Sequence, residues 1–283
     1  MLIERNKNNE FCVDYIDWCE DVINALSVDK NDYSLSLSKQ QKDLLNNLKN
    51  NKCNIIKAYR QAGTTTLMFL KIAYDITHQE KDVNQVLFIS HSHGCLRNNR
   101  DLLMKILEKC HEIIEYEKIN GKTLNVLCHN KKTRIYFSTL FDSWFPGIGI
   151  DEMYVDNAAF LDKKYDFNIT GKIKELLKAD KRITIGSCPN SKSGFFYDLW
   201  NKVVDGDIDY IDFNPICLKW YLDSRFNSEI QMTKNGYTRE IKNIGMLCEA
   251  IETNTYLSNR WVHMLASMLS RTQLDTEING KFY

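Results

Sequence analysis

The apolar positions change period several times along the chain. Phe11, Tyr15, Trp18, Val22 and Leu26 recur at helical spacing, which predicts a peripheral helix over 10–26 with one buried face. Residues 29–37 are polar and turn-rich, and Ser38 then caps a second helix, KQQKDLLNNLKN. A short apolar strand around Ile55 and Ile56 follows, then a tight loop, then a helix that opens on Thr64, Thr65 and Thr66. VLFIS (86–90) reads as a buried strand and LRNNRDLLMKILEKC as the helix after it. Residues 122–128 and 133–138 alternate apolar and polar around HNKK, the pattern of a hairpin or two edge strands. Met153–Val155 is a short buried strand, 168–179 a helix, and RITIGSCPNSKSGFFYDLW runs from a strand through a Pro-Asn turn into an aromatic helix. One more strand near IDYIDF and mixed helices complete the chain. Strands alternating with helices predict an α/β fold, a mainly parallel sheet covered by helices on both faces.

With 283 residues and 43% hydrophobic content, the chain can bury one large core. Lys+Arg and Asp+Glu balance at 37 each, so contact with nucleic acid requires a local patch and not an overall basic field. Nine cysteines without CxxC pairs read as reduced thiols and not as a disulfide framework. The polar start MLIERNKNNE carries no signal peptide, and no apolar run reaches membrane-spanning length.

The chemistry concentrates in CNIIKAYRQAGTTT. Gly63 permits a left-handed or closely approached backbone, and Thr64–Thr66 set hydroxyls beside the unpaired N–H groups of a helix start, where an anion is held readily. Against the phosphate-loop pattern G-x-x-x-x-G-K-[ST], Gly63 and Thr65 fall in register, while Ala58 stands at the first glycine and Thr64 at the lysine. An ordinary strand-to-helix turn with a capping threonine fits the same residues. Asp156 emerges at the C-terminal end of a buried strand, where Mg²⁺ bound to phosphates needs a carboxylate, and Asn157 follows it. Ser187, at another strand end, stands where a γ-phosphate can be sensed or where a plain connection begins. Gln41 is either a solvated helix side chain or a donor–acceptor pair for an adenine edge. His91, His93 and Cys95 resemble a metal cluster in composition, but no second ligand pair at suitable spacing follows.

Taken in order, these pieces resemble the ATPase domain of the large terminase subunit, the DNA-packaging motor of tailed bacteriophages. Gln41 matches that family's adenine-contact glutamine, RQAGTTT its phosphate loop with a leading Arg-Gln, MYVDNAAF its metal-carboxylate strand, and GSCPNSKSGFFYDLW its coupling motif. QLDTEINGKFY looks like the segment that closes the ATPase domain, so the resemblance covers nearly the whole chain. It implies a P-loop NTPase-like fold in three parts: an N-terminal helical segment (1–36), the ATPase core (37–213) and a small C-terminal helical or lid subdomain (214–283), with the nuclease domain absent. It also implies ATP and Mg²⁺ as cofactors. Gln41, Lys57, Arg60, Gln61, Gly63, Thr64, Thr65, Thr66 and Ser187 would contact nucleotide, Thr65 and Asp156 would hold the metal, and Asp156, Asn157 and Arg60 would be catalytic.

The implied partners are double-stranded DNA, a portal protein, a small terminase subunit and further copies in a ring, in the host cytoplasm and transiently at the procapsid portal, with no membrane. Three positions depart from the family: Thr64 for a lysine, Asn157 for a glutamate, and Pro146 before Gly147 where relatives carry arginine. An amide cannot take a proton, and a general base contributes roughly 10²- to 10⁴-fold, so hydrolysis would be slow. A nucleotide-binding structural subunit of the packaging complex and a helicase-like ATPase are the alternative readings.

Overall fold

The computed structural model describes residues 14–28, 36–78, 83–112, 114–120, 122–139, 149–235, 237–253, 256–269, 273 and 277–278. Phe11, Pro146, Gly147 and most of QLDTEINGKFY lie outside them.

Helices α1 (Tyr15–Val28) and α2 (Lys39–Asn50) precede the central strand β1 (Cys53–Lys57). α2 begins as the sequence predicts: the Ser38 hydroxyl accepts the Gln41 N–H, and the Gln41 side chain accepts the Ser38 N–H, a reciprocal capping box. Helix α3 (Thr64–Thr77), strand β2 (Val83–Ile89) and helix α4 (His93–Glu108) follow, then strands β3 (Ile114–Asn120), β4 (Thr123–Cys128) and β5 (Lys131–Ser138). Strand β6 (Glu152–Asp156), helix α5 (Asp166–Lys178), strand β7 (Arg182–Ser187), helix α6 (Phe195–Val204) and strand β8 (Phe213–Cys217) complete the main layer.

These eight strands form one sheet in the order β3-β4-β5-β2-β6-β7-β1-β8. Every neighbour from β5 to β8 pairs in parallel, and β3 and β4 add an antiparallel extension. The continuous apolar runs are explained by burial on both faces. Alternate residues Ile56, Val86, Phe88 and Tyr154 join the core under α1–α4, while Ile55, Leu87, Ile89, Met153, Val155, Ile183 and Ile185 join the core under α5 and α6. The expected hairpin is the β4–β5 pair; β3, beside it, was not expected.

The segment after β8 differs from the helical reading. It contains a second, antiparallel sheet of strands β9 (Gln231–Lys234), β10 (Tyr237–Glu240) and β11 (Tyr256–Ser258), with helices α7 (Ile244–Glu252) and α8 (Arg260–Ala266). These strands are short and β10 is exposed throughout, so the buried pair Met232 and Leu257, on β9 and β11, is too small a face to imprint an alternating pattern on the sequence. Trp220, Met232, Val262 and Leu265 nevertheless pack into the same apolar core as α1–α4. No helix among the described residues is long and apolar enough to cross a membrane.

Candidate functional site

The C-terminal ends of β1, β6 and β7 meet the first turn of α3 around a cavity of about 510 Å³. The loop from Ala58 to Gly63 forms one wall, and Asp156, Asn157, Ser187 and His91 contribute to the others. Gly63 has φ +84°, which favours glycine, and a Cβ there would lie 2.9 Å from Gln41 Nε2. Gly186 allows the second close approach: a Cβ on it would lie 2.7 Å from Met68 Cε and 3.1 Å from Thr64 Cγ2, so the start of α3 packs directly onto β7.

Thr65 and Asp156 converge inside the cavity. The Thr65 hydroxyl lies 3.1 Å from both carboxylate oxygens. Asp156 Oδ2 also accepts from Asn157 Nδ2 at 3.0 Å and Asn99 Nδ2 at 3.4 Å. Burial pushes the Asp156 carboxyl up to about 6, against the opposing pull of the hydrogen bonds from Thr65 and Asn99. Asn157 sits in the left-handed region at φ 57°, a conformation asparagine tolerates better than most residues. Ser187 joins the strand ends: its carbonyl accepts the Ala58 N–H at 2.9 Å, and its hydroxyl accepts the Ala159 N–H at 3.0 Å while donating to Cys188 O at 2.7 Å.

Arg60 lines the cavity but is engaged by Glu277, through an ion pair at 2.5 Å and a backbone hydrogen bond from the Arg60 N–H to the Glu277 carbonyl. Thr64, Thr66 and Gln61 also line it, with Gln61 Oε1 accepting from Trp261 Nε1 at 3.2 Å. Two predicted site residues are placed elsewhere. Lys57 shares a strand face with Ile55 and turns toward α6, its Nζ 4.6 Å from the centre of the Trp200 ring, where burial lowers its pKa. The core residues of α3 and of the Ala58–Gly63 loop lie on the opposite face of β1, with Ile56. Gln41 is buried behind the loop and does not line the cavity: Oε1 accepts from Ser38 N at 3.0 Å and Nε2 donates to Ala62 O at 2.9 Å. Both ends of its amide are thus engaged by backbone groups.

The sequence reading missed Asn99, Asp223 and Glu277 as site residues, and it took His91 only as part of a metal-like cluster, not as a wall of this cavity. His91 follows β2, and burial lowers its pKa. Asp223, 1% exposed, accepts from Ser38 Oγ at 3.1 Å and Tyr59 OH at 2.5 Å and pairs with Arg225. Burial raises its carboxyl, but the hydrogen bonds from Arg225 and Tyr59 outweigh burial and hold it below the usual range. Of the three missed residues, only Glu277 carried a sequence signal, its place in the C-terminal motif.

The family model for the N-terminal part of the T4-like-virus-type terminase large subunit matches residues 55–266. No curated protein matches the chain. The large terminase of a thermophilic bacteriophage, in complex with ATP-γ-S, superposes with a TM-score of 0.61 at 13% identity, over 87% of this chain and 53% of that one. The large terminase ATPase domain of Thermus phage P74-26 gives 0.56 at 13% identity, over 88% and 100%. The large terminase of bacteriophage HK97 gives 0.55 at 12% identity, over 83% and 51%. The chain thus spans about half the length of the first and third of these proteins. At these identities the structural likeness speaks for the fold alone.

Proposed function

The chain belongs to the T4-like-virus-type family of terminase large subunits, and from that premise we propose that its cavity binds ATP with Mg²⁺ and hydrolyses it slowly to drive double-stranded DNA into a procapsid. The observation that carries this reading is the convergence of Thr65 and Asp156 at 3.1 Å, at the mouth of α3. A helix start, a threonine hydroxyl and a strand-end carboxylate are the parts that a polyphosphate and its metal require. The first of the three relatives, solved with ATP-γ-S and with ADP, supports a nucleotide as the ligand.

The residues fit Mg²⁺ held jointly with nucleotide. Thr65 and Asp156 offer hard oxygen donors, and the described residues contain no cluster of three or more His, Cys, Asp or Glu able to hold a metal alone. Thr65 and Asp156 would hold the ion, and phosphate oxygens and water would complete its shell, the usual arrangement for Mg²⁺. When bound, the metal neutralises phosphate charge. The chain's own groups do the rest. The N–H groups of Thr64–Thr66 face the anion, Arg60 exchanges Glu277 for phosphate, and Asn157 orients the attacking water without accepting its proton. Ser187 couples the site to the strand ends. Portal protein, small terminase subunit, ring assembly and a host-cytoplasmic location belong to the same proposal.

Thr64 and Asn157 favour a second reading, a nucleotide-binding structural subunit of the packaging complex. Single-turnover hydrolysis at saturating Mg²⁺-ATP, with Asp156→Ala as control, separates the two. Turnover abolished by the substitution supports the ATPase. ATP binding without turnover supports the structural subunit, and the absence of binding overturns both.

A further inference from the structure

The carbonyl oxygen of Ala62, the residue before Gly63, is held from two directions. Gln41 Nε2 donates to it at 2.9 Å and Arg225 Nη2 at 3.3 Å. Both donors are themselves fixed. Gln41 is locked by the capping box of α2, its Oε1 on the Ser38 N–H. Arg225 forms a two-pronged pair with Asp223, Nε to Oδ1 at 3.0 Å and Nη2 to Oδ2 at 2.8 Å, and also reaches Tyr59 OH at 3.3 Å. Asp223 Oδ2 in turn accepts from Tyr59 and Ser38. One polar network thus joins the start of α2, both ends of the phosphate loop and the segment after β8.

A trans peptide is planar, with its C=O and N–H pointing in opposite directions, and no cis bond interrupts the described backbone. Pinning the Ala62 carbonyl back toward Gln41 and Arg225 therefore turns the Gly63 N–H the other way, toward the cavity that Gly63 lines. Without the two anchors, this peptide would be free to rotate about its flanking dihedrals, and an anion would lose an oriented donor. Such fixed backbone donors bind anions well because no reorganisation remains to be done.

We infer that Gln41 and Arg225 are positioning residues for the polyphosphate chain: acting through the Ala62 carbonyl, they aim the Gly63 N–H at the ligand, and neither reads the base. This inference rests on the nucleotide-site reading. Affinities of the wild-type chain, Gln41→Ala and Arg225→Lys for Mg²⁺-ATP, Mg²⁺-GTP and base-free Mg²⁺-tripolyphosphate, measured by calorimetry, test it. Each substitution should weaken all three ligands by a similar factor, roughly threefold to tenfold for one oriented hydrogen bond. A Gln41→Ala loss confined to ATP would return the glutamine to adenine recognition and overturn the inference. So would variants that melt earlier but bind all three ligands as tightly as wild type, the signature of a merely structural role. If Gln41→Ala does not fold, Gln41→Met keeps the volume without the donor, with the same expectations. If the wild type binds none of the three, the nucleotide-site reading itself fails, and the inference with it.

Discussion

Replacing Asp156 with asparagine should make the protein more stable while removing the proposed Mg²⁺-nucleotide binding. Burial raises the carboxyl from 3.8 to about 6, so in that window the folded state holds a proton that the unfolded state has released. Its contribution to stability therefore falls as pH rises from about 4 to about 6, and above that the ionised group costs the fold about 3 kcal/mol at 1.36 kcal/mol per pH unit. The asparagine avoids that cost without losing partners. Its oxygen can occupy the Oδ2 position, which receives Asn99 and Asn157, and its NH₂ the Oδ1 position, where the Thr65 hydroxyl at 3.1 Å can turn to accept. At roughly 2–4 °C per kcal/mol for a domain of this size, the melting temperature should rise by up to about 10 °C. Thermal melts without nucleotide at pH 7.5 and 4.5 are the assay. The variant should lead at the higher pH and converge with wild type at the lower, and Mg²⁺-ATP should stabilise only the wild type. A variant less stable at pH 7.5, or a lead that persists unchanged at pH 4.5, would refute the reasoning.

Three other substitutions probe the same cavity. Asn157→Glu should raise single-turnover hydrolysis roughly 10²-fold by supplying a base, at a backbone cost of about 1–2 kcal/mol for a bulkier residue at φ 57°; an unchanged rate with intact ATP binding would show the phosphate loop to be at fault. Glu277→Gln should release Arg60 and tighten Mg²⁺-ATP up to about fivefold, the scale of a partly exposed ion pair, and weaker calorimetric binding would show that the carboxylate helps the ligand. Gly186→Ala should cost about 1–3 kcal/mol in denaturant unfolding and weaken nucleotide binding, because the methyl group meets Met68 and Thr64; a neutral result would mean that α3 is not seated on β7.

What the sequence made legible was local. The strand, loop and three-threonine helix, the buried strand ending in Asp156 and the alternating β4–β5 hairpin all carry their signal within a dozen residues, and each stands where the pattern put it. What it concealed depends on direction or on distance. Lys57 reads as a cation beside a phosphate loop until strand alternation turns it to Trp200. Gln41 reads as a free amide until the fold brings Ala62 within 2.9 Å, and Asp223 carries no motif because its partners Ser38 and Tyr59 are remote in sequence. Edge strand β3 is charged and the strands of the small sheet after β8 are only three or four residues long, so neither period stands out.

Ser187 joins the ends of three elements: the phosphate loop through Ala58, the turn after Asp156 through Ala159, and its own strand. In genetic terms, this residue should not yield separation-of-function alleles. A substitution that frees the turn after Asp156 also changes the support beneath the loop, so nucleotide binding, hydrolysis and any transmitted motion should fail together. Alleles that hydrolyse ATP but do no work should map outward from it, along the exposed Asn190–Ser193 turn, where the described hydrogen bonds reach the site only through the Ala159 carbonyl.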